Sequence, residues 1–228
     1  MKMIGNMIAL AMLGIVSMGC EKEEQMTEPM ALSEVKRYGT DPTSCEIIEF
    51  DEQEYSTGGT IAMAYSQGTP VGVSAQRRLP NGTYRTENVA RLFDTSSPSG
   101  ALQDFRTPNN NAMRPMGNIL LVNQAEAGET NFYGEGGRIE MDFSAMGSIT
   151  LKGIHVLDIE EDEAGSTLAL YSQSGQLIKT MPLPVTGGNG ATRLRIDTPG
   201  VHKLVVTFTG KKKKSGDGAI DVIEFCRD

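Results

Sequence analysis

The chain has 228 residues, three cysteines, two histidines, no tryptophan and a formal net charge of −8. An acidic balance of this kind excludes phosphate-backbone binding of nucleic acid, which needs clustered Lys and Arg, and excludes simple electrostatic attachment to an anionic membrane. Two histidines cannot build a His-rich zinc site, and the lack of Trp, with aromatics at 6%, counts against a sugar site built on a Trp platform.

Residues 1–19 read as an export signal. Lys2 is the positive n-region, Met7 to Val16 an uncharged apolar core, and Ser17-Met18-Gly19 precede Cys20. The uncharged run Met3 to Met18 is shorter than the roughly 20 residues of a spanning helix. The stretch resembles bacterial lipoprotein signals, departing from them at Ser17, where Leu, Val or Ile is usual. That resemblance implies cleavage before Cys20 and lipidation of its thiol and amine. Each buried CH₂ then contributes about 0.8 kcal/mol, so two or three acyl chains anchor durably. Glu21-Lys22-Glu23-Glu24 is similar to the surface-export signal of Bacteroidota-type lipoproteins. The expectation is an outer-membrane lipoprotein exposed at the cell surface, with a periplasm-facing domain as the alternative. Residues 20–44 are polar, with Pro29 and Pro42, and read as a lipidated flexible tether.

Residues 45–228 form one domain by this reading, long enough to bury roughly 70% of the unfolded surface. Helical periodicity is nearly absent. Short β-rich runs recur near 45–50, 60–64, 71–76, 89–93, 118–122, 137–143, 148–157, 166–172, 176–181, 191–196, 201–208 and 219–225. Turn signals separate them, among them Pro80-Asn81-Gly82, Ser97-Pro98-Ser99-Gly100, Ser174-Gly175 and Gly187-Gly188-Asn189-Gly190. The pattern predicts an all-β fold, an antiparallel β-sandwich of the jelly-roll kind.

With Cys20 assigned to lipid, Cys45 and Cys226 remain, and an even remainder in an exported chain reads as a disulfide. Cys45 opens the first strand and Cys226 closes the last. Antiparallel pairing of those strands would bring the sulfurs into range.

The segments "IIEFDE", "RLFDTSSPSG", "GNILLV", "GGRIEMDFS", "GIHVLDIEEDEAGSTLALYSQSGQLI", "GVHKLVVTFTG" and "GAIDVIEF" occur in order. Together they resemble a β-sandwich module of secreted and surface bacterial proteins, similar at its ends to galactose-binding-like sandwiches and carbohydrate-binding modules. Two departures are Ala101-Leu102, where the module carries Gly-Asp, and the enlarged turn holding Lys211 to Lys214. The resemblance implies fold well and ligand poorly.

Calcium is the cofactor expected here, because Ca²⁺ takes six to eight oxygens. Glu46, Glu49 and Asp51 lie on or beside the first strand and Asp221 on the last, and the disulfide register would gather them. In carbohydrate-binding modules a structural calcium sits between such acids, and Asp221 matches the last-strand position by resemblance. The alternative is that these acids alternate outward into water. Asp94 with Asp104 is a second candidate pair, with Asx turns as its plainer reading. The acidic run Asp158 to Glu163 lacks EF-hand spacing and reads as a solvated turn. His155 and His202 read as outward strand residues, and the Lys211–Lys214 tip as a solvated hairpin end.

No Gly-x-Ser-x-Gly elbow occurs. The function expected is non-catalytic binding of an extracellular glycan or surface partner, with Tyr65, Tyr84, Phe132 and Tyr133 as ligand-facing candidates. The alternatives are a glycoside hydrolase or lyase using paired carboxylates and a purely structural or adhesive surface protein.

Overall fold

The computed structural model describes residues 45–51, 55, 57–96, 105–106, 116–124, 135–210 and 216–228. The signal segment, the tether, Cys20 and the Lys211–Lys214 tip lie outside them.

Among the described residues, twelve strands form two antiparallel sheets packed face to face. Sheet I contains β4 (Ala90–Asp94), β5 (Asn118–Val122), β12 (Ala219–Arg227), β7 (Ile149–Leu157) and β10 (Ala191–Val201), in the order β10-β7-β12-β5-β4, with β1 (Cys45–Ile48) added on β12. Sheet II has the order β2-β3-β6-β11-β8-β9. These are Met63–Ser66, Thr69–Arg77, Gly137–Asp142, Lys203–Phe208, Thr167–Tyr171 and Leu177–Pro182. The fold is the antiparallel β-sandwich that the strand pattern predicts.

Side-chain alternation explains the layering. In β6 Ile139 and Met141 turn inward while Arg138, Glu140 and Asp142 turn outward; β8 and β11 follow the same period of two. The core between the sheets joins Leu92, Leu120, Val156, Ile220 and Phe225 of sheet I to Val73, Ile139, Met141, Leu170 and Val206 of sheet II, all buried. Each such Leu, Ile, Val or Phe contributes about 1.5–3 kcal/mol relative to exposure.

β12 organises sheet I. It pairs with β7 along one side. On its other side Ala219 and Ile220 face β5, and Ile223 to Cys226 face β1. The partner changes at Val222, where φ is +48° and the register against β7 slips between Asp221 and Glu224. A β-branched residue rarely takes this left-handed conformation. The bulge accommodates the end of β1 meeting the start of β5. There Asn118 donates its backbone N–H to Asp51 Oδ1 (2.5 Å) and its side-chain amide to Phe50 O (3.1 Å). Cys45 and Cys226 stand directly opposite and form the expected disulfide.

Polar ties close both long sides of the sandwich. On one side Glu46, only 5% exposed, accepts Arg227 Nε (2.5 Å) and Ser66 Oγ (2.5 Å), while Arg227 Nη2 reaches Thr69 Oγ1 (3.3 Å). These bonds join β1 and β12 of sheet I to the β2–β3 turn of sheet II, and they satisfy a carboxylate that would otherwise be costly to bury. On the other side Lys179 of β9 donates to Ile196 O (3.1 Å) and Thr198 Oγ1 (3.3 Å) of β10.

Candidate functional site

The two sheets present very different outward faces. The outward side of sheet I is capped by a second apolar cluster of Phe93, Phe105, Ile119, Leu121, Leu157 and Ala219. Next to it, at the β1–β5 junction, lies Asp221. Alternation puts Asp221 outward with Ala219, since Ile220 between them enters the core. Its register partner on β7 is His155, which in turn faces Arg193 of β10. Asp221 is 2% exposed and its Oδ1 has no hydrogen-bond partner among the described residues. Burial pushes its carboxyl up to about 8, against the pull of the Val222 N–H, and the nearby charges of Asp51 and Glu49 add to the rise.

The structure therefore brings three of the predicted cation ligands, Glu49, Asp51 and Asp221, into electrostatic reach. It turns Glu46 away, into the Arg227 ion pair. Among the described residues no group of three His, Cys, Asp or Glu stands close enough to hold a metal ion by side chains alone. Asp94 accepts the Ser96 N–H (2.8 Å) and Oγ–H (2.6 Å) in a local turn; Asp104 lies outside the described residues.

Among the described residues, no second apolar cluster covers the outward side of sheet II. Two cross-strand rows define it. One runs Gly72, Asp142, Lys203, Tyr171; the other runs Gln76, Arg138, Thr207, Thr167. They are four residues apart along each strand, or about 13 Å. Between them lie Ser74, Glu140, Val205 and Ala169. Most of these side chains are small, and all but Asp142 and Val205 are half-buried; Asp142 is exposed and Val205 buried. Each end of the face carries a cation beside a tyrosine. Arg138 lies 4.5 Å from the Tyr84 ring centroid and Lys203 lies 5.9 Å from that of Tyr171. Lys203 also bonds Glu140 at 3.3 Å.

Of the expected ligand-facing aromatics, Tyr84 is at one end of this face. Tyr65 stands 38% exposed on β2, opposite Pro70 at the other end of β3. Since Tyr84 bridges Arg78, eight residues of strand, about 26 Å, separate the two tyrosines, and they do not share one small site. Phe132 and Tyr133 lie outside the described residues. Arg138, Gln76 and Lys203 are additional members of the face. Their signal in the sequence is the outward half of an alternating strand, which marks them as surface but not as neighbours.

The acidic run is not a solvated turn throughout. Asp158 is 3% and Glu163 1% exposed. Glu163 Oε1 accepts the Gly216 (2.7 Å) and Asp217 (3.0 Å) N–H groups and Oε2 that of Glu160 (2.9 Å). Burial, followed by the Asp217 carboxyl beside it, raises the Glu163 carboxyl to about 8. Its task is to pin the base of the 210–218 loop. His202 is likewise buried rather than outward, and its Nδ1 has no hydrogen-bond partner among the described residues; His155 is half-buried on the outward side of sheet I.

No protein-family model matches the chain, and no curated protein is detectably similar to it. Several solved structures superpose weakly. A DUF4465 family protein from Bacteroides caccae is 10% identical, with 81% of this chain and 100% of that one covered and a TM-score of 0.45. A fucose binding module of Streptococcus pneumoniae is 11% identical, covering 75% and 96%, with a TM-score of 0.36. A fucolectin from striped bass (Morone saxatilis) serum is 10% identical, covering 82% and 72%, with a TM-score of 0.31. At these scores the likenesses carry no argument of their own, and the assignment of this chain to the antiparallel β-sandwiches rests on its strand pairing.

Proposed function

We propose that this protein is a lipid-anchored module of the outer-membrane surface that binds glycan on the open face of sheet II without acting on it. The observation that carries the reading is that face: small side chains over about 13 Å, bounded by Tyr84 with Arg138 at one end and Tyr171 with Lys203 at the other. Sugar rings stack on aromatic faces and bond to fixed polar groups, and an uncovered sheet admits a chain of them. Among the described residues the two carboxyls pushed furthest up, Glu163 and Asp221, are 1% and 2% exposed, so neither of these two meets a glycosidic oxygen as a general acid must. The anchor rests on the signal ending at Cys20 and the polar tether after it.

A structural calcium belongs to the same proposal. Asp221 Oδ1 is an orphaned buried acceptor, Asp51 and Glu49 add negative charge near it, and hard oxygen donors suit Ca²⁺. These three residues would hold the ion, with backbone carbonyls or water completing its shell. Bound there, calcium would neutralise the junction of β1, β5 and β12.

Full-length protein in detergent, applied to a glycan array, should give saturable binding to at least one glycan and release no reducing ends from it. Released reducing ends would replace the binding module with an enzyme, and a blank array would leave the adhesive role. Cys20→Ala should leave the membrane fraction or remain unprocessed. Calcium should raise the melting temperature and EDTA lower it, and Asp221→Asn should blunt that response. A melt indifferent to both, in protein shown free of metal, would remove the ion.

A further inference from the structure

We propose that the glycan taken by this face is anionic, its carboxylate or sulfate held by the Arg138 guanidinium. The inference rests on the glycan reading above and narrows its substrate class.

Arg138 is a cation with no carboxylate partner among the described residues, in a chain with an excess of acids. Its neighbours account for this. On β3 it faces Gln76, whose Oε1 accepts both Nε–H (2.8 Å) and an Nη2–H (2.6 Å). On β11 it faces Thr207, which is neutral. The next acid on its own strand, Glu140, is bonded to Lys203. Below it is the Tyr84 ring. Every fixed contact of the guanidinium is therefore to a neutral group.

Those contacts also leave its recognition edge open. A guanidinium carries five N–H donors in a rigid fork. Gln76 occupies the Nε side and Tyr84 the flat side, so the Nη1–Nη2 end remains for an acceptor with two oxygens. Carboxylates and sulfates fit that end in the bidentate manner, and a braced fork loses little freedom on binding. Arg78 adds a second positive charge. It lies two residues beyond Gln76 on the same strand direction, opposite Tyr84, and bonds no carboxylate among the described residues. Lys203, on the second row, is paired with Glu140 and stands opposite Asp142, so the anion is held at the Arg138 end of the face. A neutral glycan has no use for that open fork. A uronic acid or a sulfated sugar does.

The test is binding of the full-length protein to three immobilised polymers: polygalacturonate for the carboxylate, a sulfated galactan free of uronic acid for the sulfate ester, and a neutral galactan. At least one anionic polymer should bind tenfold or more tighter than galactan, and the preference should fall as salt rises through the physiological range, because the pairs are partly exposed. Arg138→Gln should weaken anionic binding about tenfold or more. Arg138→Lys, which keeps the charge but not the fork, should recover only part of it, and Lys152→Gln, far from the face, none of the loss. Melting curves identify a variant that has failed to fold; in that case Arg138→Lys and Tyr84→Leu decide. Binding of galactan alone, or anionic binding indifferent to Arg138, overturns the anionic assignment and leaves a glycan module standing. Failure of every glycan on the array and of all three polymers overturns both.

Discussion

On the outward side of sheet I, Phe105 and five neighbours pack into a second core and leave Asp221 2% exposed beside them. On the outward side of sheet II, Ser74, Gln76, Thr207 and Ala169 stand half-exposed, with no comparable cluster over them among the described residues. The sheets share one interior, so the difference arises in the connections. The chain between β4 and β5 contributes Phe105 to the cap, whereas at both edges of sheet II, β2–β3 and β8–β9, the strands are joined by tight hairpins such as the Gln67–Gly68 turn. Short turns leave no chain to cover a face. One face is thus committed to stability and the other is available for recognition.

The comparison can be tested by breaking each side. The largest effect expected is from the disulfide at the uncapped end of sheet I. In the chain-entropy model, closing a loop of 181 residues is worth about 5 kcal/mol, so Cys45→Ser with Cys226→Ser should lose most of that in urea denaturation. Phe105→Ala should follow at about 3–4 kcal/mol. Thr207→Ala on the open face should stay within about 0.5 kcal/mol; equal losses at the two positions would abolish the distinction.

The third test is pH. In EDTA, Asp221 and Glu163 hold their protons in the folded chain over a range in which the unfolded chain has released them. Their raised values make this contribution complete below the ordinary carboxylate range. It declines as pH rises and is gone above about 8. Asp221→Asn should flatten part of that decline and gain roughly 1–3 kcal/mol near pH 8. With calcium bound at the junction the sign reverses, and the same variant is the less stable protein. A small effect is expected at the Lys203–Glu140 pair, whose side chains are 36% and 30% exposed; Glu140→Gln should cost under about 1 kcal/mol by thermal melting.

The strand pattern was legible because alternation and turn residues are local. All twelve runs reappear as strands, and the disulfide follows from the mirrored places of its cysteines. β2 lies at 63–66 rather than 60–64 because its hairpin turns at Gln67–Gly68, both with positive φ, and Gln is not a residue that announces such a turn. β10 continues past Asp197-Thr198-Pro199-Gly200 through register shifts, which an edge strand tolerates. The site was less legible. Glu46 was grouped with the acids of its own segment, but it is neutralised by Arg227, 181 residues away, and no local pattern contains that pairing. Glu163 and Asp158 read as solvated because a run of acids usually is. Their burial follows from backbone N–H groups of distant loops that need acceptors. Arg138 has the same character, since Gln76 reaches it from β3 and Tyr84 from the β3–β4 connection.

The switch of β12 from β5 to β1 has a consequence for the timing of folding. Sheet I is held together by the last nine-residue strand of the chain, which supplies the middle position between β7 and both of its partners on the other side. Until that strand is made, β1 has no neighbour in its sheet and Cys45 cannot form its disulfide. Sheet II waits almost as long, because β11, at 203–208, joins β6 to β8 in its middle. Neither sheet should therefore be complete until nearly the whole of the domain has been synthesised. A product cut ten residues short should remain unable to complete sheet I, leaving β5 and β7 each with an unpaired edge open to proteolysis.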